Sequence, residues 1–484
     1  MNKLQGAGVA SVLGMLIAVG CGSSDDGNQF PGEPNASSGS PTASSSGDPG
    51  GSSGFGTSSG GASSGASGGT PCVGLQCQQV TCAGGGSTTL SGKVLAPTTA
   101  EDLPIYNAVV YVPNDKVEPF KDGVVCDRCG TTPSGKPVTT AITDAKGNFT
   151  LKNVPVGKDI PLVIQLGRWR KQIVVPSVPQ CVDTPLDTTQ TRLPKNQTQG
   201  DIPHIALTTG GADTLECFLR KLGFDDSEFT NPDGAGRIHL YQGTSGSKID
   251  GKTPSANTLW DSIDQLKKYD MVILSCEGDE YNNTKSDTAR QAVLDYLDGG
   301  GRVFSSHFHY TWLKNGKGLL PTTATWVNNG NSGDAVADID TSFPKGQAFA
   351  DWLVEAKAST TLAKVPMTAL RRNITSVPGP AGNAETSRRW ISVKNGANDD
   401  PKFYSFNTPI GKPADQQCGR GVYTDIHVSS SDVPGGTFPT TTCKAPGLIP
   451  QEKALLFLLT DLASCVQDET KAPEPPPPTP KGPN

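Results

Sequence analysis

Residues Asp270–Trp312 read DMVILSCEGDEYNNTKSDTARQAVLDYLDGGGRVFSSHFHYTW. Met271–Leu274 is an apolar run with no polar alternation, as in a strand covered on both faces. Ser286 and the residues after it read as a helix, and Gly299-Gly300-Gly301 stops it. "GRVFSSHF" is then a second buried strand. Strand, helix and strand in this order predict two parallel neighbours joined by a crossover. The rhythm extends both ways. Upstream are the strand "IPHIALTTG", the helix "DTLECFLRKLGF", the strand "RIHLYQG" and the helix "TLWDSIDQLKKY", with Leu259, Ile263 and Leu266 on one face. Downstream are the strand "GRGVYTDIHV" and a long apolar helix, "QEKALLFLLTDLASCV". Residues 315–415 break the pattern with polar, turn-rich sequence and are expected to be an insertion.

From Thr88 to Val182 short alternating runs are separated by Gly, Pro, Asn and Asp: "TTLSGKVLAP", "NAVVYVPN", "KPVTTAITDAKGNFTLKNVPVG" and "IPLVIQLGRWRKQIVVPSV". They predict a small antiparallel sandwich, with Asp144 and Gly147 in a hairpin turn. The order SGKV…YNAVVYVP…AITDAKGNFTLKNVPVG resembles the carboxypeptidase regulatory-like domain, a transthyretin-like sandwich. That resemblance implies an accessory module without catalytic residues.

Residues 22–70 are Ser, Gly, Ala, Thr and Pro with almost no apolar content. Such sequence buries too little surface to offset its ordering entropy and is expected to be a disordered tether. Before it, "MNKLQGAGVASVLGMLIAVGC" has Lys3, an apolar run too short to span a bilayer, and a terminal cysteine. "AVGC" resembles a bacterial lipobox, which implies lipidation of Cys21, a membrane partner through that lipid, and sorting to the outer membrane or cell surface. Plain secretion is the alternative. The predicted organisation is a signal peptide over 1–21, a tether over 22–70, a Cys-containing lead-in over 71–87, the sandwich over 88–195, an α/β domain over 200–467 and an unfolded Pro-rich tail over 468–484.

The chain has 484 residues, 41 basic and 47 acidic, and a formal net charge of −6. No basic footprint for nucleic acid is expected from that balance. "GSKIDGKT" (Gly246–Thr253) matches a phosphate-loop spacing. Pro254 follows at once, where a nucleotide-binding helix would continue, so no nucleotide partner is expected. Twelve cysteines fit an oxidising compartment. Cys126 and Cys129 form a CxxC, and disulfide chemistry is expected of it rather than zinc. Cys276 is expected to pair with Cys217 in preference to acting as a free thiol.

Three strand ends carry chemistry-bearing residues: Ser275, Cys276, Glu277 and Asp279; Ser305, Ser306, His307 and His309; Asp425 and His427. In an open parallel sheet these ends are where ligands sit. The pattern YDMVILSC…ARQAVLDYLDGGGRVFSSHF…GRGVYTDIHV resembles the class I glutamine amidotransferase-like fold, a flavodoxin-like arrangement, closest to its trehalose-utilisation-type relatives. The resemblance implies a nucleophile after the "GGG" strand. Ser306 or His307 stands there, with no cysteine and no elbow glycine. His427 matches the family's histidine, but Ser429 replaces the carboxylate two residues on. The amidotransferase chemistry is therefore expected to be lost. Two functions remain. One is a non-catalytic binding or structural role at the envelope, toward a glycan or an envelope protein. The other is an extracellular hydrolase of a saccharide or ester, with Ser306, His307, His427 and Glu277 as candidate catalytic residues. It includes a metal-assisted form with a divalent ion on His307, His309 and His427, since a strand places both residues of His-x-His on one face. Hydrogen bonding of these residues at the sheet edge is the plain alternative. Trp260, Trp312, Trp326, Trp352 and Trp390 would serve either a sugar surface or core packing.

Overall fold

The structure is a computed structural model, and it describes residues 72–377 and 387–480. The signal peptide, Cys21 and the tether lie outside the described residues. All described residues belong to one compact unit, 66–484.

The sandwich is built from seven strands: β1 Thr89–Lys93, β2 Val109–Pro113, β3 Pro137–Ile142, β4 Asn148–Leu151, β5 Gly157–Leu166, β6 Trp169–Val178 and β7 Asp183–Pro185. They form a sheet of order β4-β1-β7 and a sheet of order β3-β2-β5-β6. All pairs are antiparallel except β1 with β7. The Asp144 turn is as read: its carboxylate accepts from the backbone N–H of Lys146 and Asn148, both at 2.8 Å. The helix α1, Thr188–Thr191, follows, capped by Asp187.

The second part begins with β8 Ile205–Thr209, α2 Leu215–Lys221, β9 Phe229–Thr230, β10 Ile238–Gln242 and the short β11 Ser247–Lys248. Next come α3 Asn257–Trp260, α4 Ile263–Leu266, β12 Met271–Leu274, α5 Asp287–Asp298, β13 Arg302–Ser306 and α6 Thr311–Lys314. The insertion supplies β14 Thr325–Ile339, α7 Pro344–Glu355, β15 Lys364–Ser376, β16 Arg388–Asn395 and β17 Asn398–Thr408. The chain closes with β18 Gly419–Thr424, β19 Gly436–Thr437 and α8 Pro450–Ala463.

One ten-stranded sheet has the order β15-β14-β16-β17-β18-β13-β12-β8-β10-β9. From β18 to β9 every pairing is parallel. Every residue of β8, β12, β13 and β18 is buried. That follows from helices covering both faces, and it explains the unbroken apolar runs. The purely parallel sheet expected from the sequence is thus corrected to a mixed one. The insertion is continuous with the sheet: β17 pairs antiparallel with β18, and β14–β16 extend that edge. Its turn-rich sequence hides this, because long strands with bulges lose the period-two pattern.

α5 shows how locally the fold is written. The Ser286 side chain accepts from Ala289 N, and Asp287 lies in the first turn, where the helix dipole favours a negative charge. Gly300, at φ +111°, turns the chain into β13, and a Cβ there would meet Val125 O at 2.5 Å. Only glycine fits that left-handed turn against the sandwich loop.

The two parts share one apolar core, from Leu90 and Val110 in the sandwich through Leu207 and Phe304 to Leu458 of α8. Five disulfides reinforce it: Cys72–Cys77, Cys82–Cys181, Cys126–Cys418, Cys129–Cys465 and Cys217–Cys443. The CxxC does not close on itself. Its two cysteines tie the β2–β3 loop of the sandwich to the start of β18 and to the end of α8. Each such link typically contributes about 2–4 kcal/mol. The expected Cys217–Cys276 pair is corrected, since Cys217 is bonded to Cys443 and Cys276 is free. The tail is also not a free stalk as far as Pro480. Thr140 Oγ1 donates to Pro476 O at 2.6 Å, Thr479 N donates to Pro137 O at 2.8 Å, and Pro476 is buried against the sandwich.

Where insertion, last strand, last helix and tail meet, four charges are buried together. Lys345 of α7 lies 2.8 Å from Asp461 of α8 and 3.2 Å from Glu469. Arg420 of β18 contacts Asp461 at 2.8 Å and also pairs with Glu469. Burial alone would push the Asp461 carboxyl up, but Lys345 and Arg420 outweigh it and hold it below its ordinary value of 3.8. Removing one member of a buried pair leaves an uncompensated charge, a loss of about 3–5 kcal/mol. D461N should therefore lower stability by about that much in urea melts at pH 7. A depressed carboxyl stabilises the fold above its unfolded value and stops doing so as pH falls through its folded value. The gap between wild type and D461N should accordingly narrow as pH falls below about 4; a constant gap would count against the charge role.

Glu216 of α2 behaves oppositely. Its carboxyl is fully buried, and burial pushes it up to about 7. The folded state then holds a proton that the unfolded state has released, so stability falls as pH rises from about 4.5 through 7. E216Q should raise the melting temperature at pH 8 and leave it unchanged at pH 4, with a gain of up to about 3 kcal/mol.

Candidate functional site

β8 is followed on one side by β10 and on the other by β12, so the strand order reverses between β8 and β12. The crevice outside the carboxyl ends at such a point is where open α/β sheets place ligands. Here the two ends close on each other. A Cβ on Gly210, just after β8, would lie 2.1 Å from Cys276 O, just after β12.

β13 ends at Ser306, and His307–Tyr310 turns at once into a 3-10 helix. His307 takes φ +41°, a left-handed conformation that costs a non-glycine residue energy. The sharp elbow is thus present without a glycine, contrary to the sequence reading, and a histidine sits on it. The same turn overturns the His-x-His expectation, since a strand would align His307 with His309 and the 3-10 helix separates them. His309 is already satisfied. Trp312 Nε1 donates to its Nδ1 at 2.9 Å, which leaves the proton on Nε2 to be donated to Ser275 O at 2.8 Å. Burial pushes His309 down to about 4. With both nitrogens engaged it is not a metal ligand.

His307 turns the other way. Its Nδ1 lies 3.3 Å from Cys276 Sγ, and its ring meets that of His427 edge-on at 4.9 Å between centroids. Cys276 is 0% exposed, His307 3% and His427 8%. Cys276 Sγ and one ring nitrogen of each histidine all lie within 4.8 Å of one another. His427 Nε2 is buried without a hydrogen-bond partner among the described residues. Burial pushes the Cys276 thiol up to about 12 and His427 down to about 3, with Arg371 adding to the latter. Burial thus disfavours the thiolate of Cys276 and the charged form of His427, the opposite of the tuning that activates a nucleophilic cysteine.

The other candidates are held in structural roles. Ser306 Oγ donates to Asp213, whose other oxygen accepts from Val428 N at 3.0 Å. Burial pushes Asp213 up to about 6. Glu277 accepts from Thr244 N at 2.8 Å and is paired with Lys285 at 2.7 Å. Burial pushes its carboxyl up, and the Lys285 ammonium and the Thr244 N–H outweigh that and keep it below its ordinary value. Asp425 accepts from Tyr423 at 2.7 Å and from Asn373 N at 3.0 Å, which fastens β15 of the insertion over the strand ends. Trp260, Trp312, Trp352 and Trp390 are fully buried core residues and Trp326 is half-buried, so no tryptophan platform faces solvent.

Sequence reasoning places Cys276 at a strand end but, because export favours pairing, points it toward a disulfide it does not make. It misses one member of the site. Asp213, in "TTGGAD" after the first parallel strand, carries no motif, although its place at the switch point is a usable signal.

No family model matches the chain, and no curated protein matches it. Among solved structures, a protein named as ThuA-like from Bacteroides uniformis shares 13% identity at a TM-score of 0.30, covering 53% of this chain and 88% of that one. A type II cohesin–X-dockerin complex from Acetivibrio cellulolyticus shares 18% identity at a TM-score of 0.15, covering 30% of this chain and 75% of that one. At these scores neither likeness carries an argument for fold or function.

Proposed function

We propose that the chain is an exported envelope protein with a non-catalytic binding or structural role, anchored through a lipid on Cys21 and held off the membrane by its Ser/Gly-rich tether. In this reading its sheet is a flavodoxin-like, amidotransferase-like scaffold, and its sandwich is a transthyretin-like accessory module. Five disulfides support export to an oxidising compartment. The observation that carries the non-catalytic reading is the closed carboxyl edge. The residues where an amidotransferase-like fold keeps its chemistry are buried and covered by the insertion. A hydrolase acting on a saccharide or ester needs that edge open, and nothing in its geometry favours that alternative. Its partner in this reading is a glycan or a protein of the envelope.

Alkylation tests this directly. Iodoacetamide added to native, chelator-treated protein should leave Cys276 unmodified over hours, and modify it fully once the chain is unfolded in guanidinium, as read by intact mass and peptide mapping. Rapid stoichiometric labelling of native Cys276 would show an open, reactive site and overturn the reading.

A further inference from the structure

Cys276 is the one unpaired cysteine among the described residues, in a chain whose ten other described cysteines are all cross-linked. It lies at the end of β12, His307 on the elbow after β13, and His427 beyond the end of β18. β18, β13 and β12 are neighbours in the sheet, and their ends bring three donor atoms within 4.8 Å of one another. We propose that Cys276, His307 and His427 form a mononuclear site for a thiophilic transition-metal ion, zinc(II) or copper(I), that locks the three strand ends together.

Three observations carry this. The donors converge, with Sγ and Nδ1 at 3.3 Å and all three within 4.8 Å. Metal–sulfur and metal–nitrogen bonds of about 2.0–2.3 Å at tetrahedral angles put donors about 3.5 Å apart. The site therefore needs a closure of about 1 Å, within reach of side-chain rotation. Second, His427 is more than nine-tenths buried, and its Nε2 has no hydrogen-bond partner among the described residues. A buried ring nitrogen without a partner costs free energy that a metal bond would recover. Third, His307 stands at the cluster with φ +41°, a cost the surrounding structure must outweigh.

The donor set selects the ion. One sulfur and two imidazole nitrogens, with no carboxylate in the set, suit zinc or copper and not the hard cations calcium and magnesium. Asp213 and Arg371 act on the sulfur with opposite signs. On binding, the Cys276 thiol releases its proton to solvent and the thiolate ligates the ion, with no change in oxidation state. Buried and closed, the site would fasten β12, β13 and the β18 end. This proposal goes beyond the non-catalytic reading and does not rest on it.

The test uses the folded, disulfide-intact chain. Chelator-treated protein is loaded separately with zinc sulfate and with copper(I) under anaerobic conditions, desalted, and assayed for metal by mass spectrometry. Wild type should retain about one equivalent of the preferred ion, and C276S and H427Q should retain at least about tenfold less. H239Q, altered at the opposite edge of the sheet, should match wild type. Cobalt(II) loading of wild type should give a thiolate-to-cobalt charge-transfer band, a readout that needs no variant to fold. Retention of neither ion, equal retention by C276S or H427Q, or cobalt binding without the band would each overturn the proposal. If metal is retained while Cys276 of the metal-free native protein alkylates rapidly, the site stands and the closed-edge reading falls.

Discussion

A cluster of buried charges ties the insertion to the rest of the fold. Lys345, Arg420, Asp461 and Glu469 come from α7, β18, α8 and the segment beyond it, and all four are removed from water. Each would be prohibitively expensive alone, and together they are compensated. A network of this kind specifies as well as stabilises. It is satisfied only when the insertion, the last parallel strand and the last helix occupy their mutual places. The insertion is thereby fixed to the sheet edge, and from there it reaches over the carboxyl ends of the strands.

That placement decides the character of the candidate site. In an open sheet the switch point between β8 and β12 is a crevice. Here the backbone around Asn373 donates to Asp425, Arg371 N donates to Asp425 O at 2.9 Å, and the strand ends are roofed. The donors left inside are chosen by geometry. His309, two residues from His307, is turned into the Trp260–Trp312 cluster and saturated there. His307 is turned inward against the sulfur.

Much of this was legible in the sequence, for identifiable reasons. Met271–Leu274 and Arg302–Ser306 were readable as adjacent parallel strands because burial on both faces removes polar alternation. α5 was readable because Ser286 and the glycine run punctuate it. The Asp144 turn was readable because its carboxylate caps its own loop. Three things were not legible. Disulfide connectivity depends on which loops meet in space, and Cys126 finds Cys418 across 292 residues. The insertion joined the main sheet through strands whose bulges erase periodicity. The fate of His307 and His309 turned on where the strand stops: carried through His309 it would have aligned them, and a left-handed His307 set them apart.

Ten described cysteines in disulfides make the survival of one thiol a physical question. Cys276 is protected from pairing because no second sulfur reaches it inside the closed edge, and from oxidation because burial keeps it protonated. Protection alone would be met as well by serine or alanine, which leave no reactive atom in an oxidising compartment. Nor does packing demand a histidine with an idle nitrogen beside it, since a leucine at 427 would fill similar space without a buried polar atom to satisfy. Three departures from the cheapest solution meet at one point: the unpaired thiol, the left-handed His307 and the unsatisfied His427. Single costs of these kinds occur elsewhere in the core, as at the buried His239 Nε2. Here they meet at three neighbouring strand ends with their donor atoms within 4.8 Å, which is what a ligand common to all three would produce.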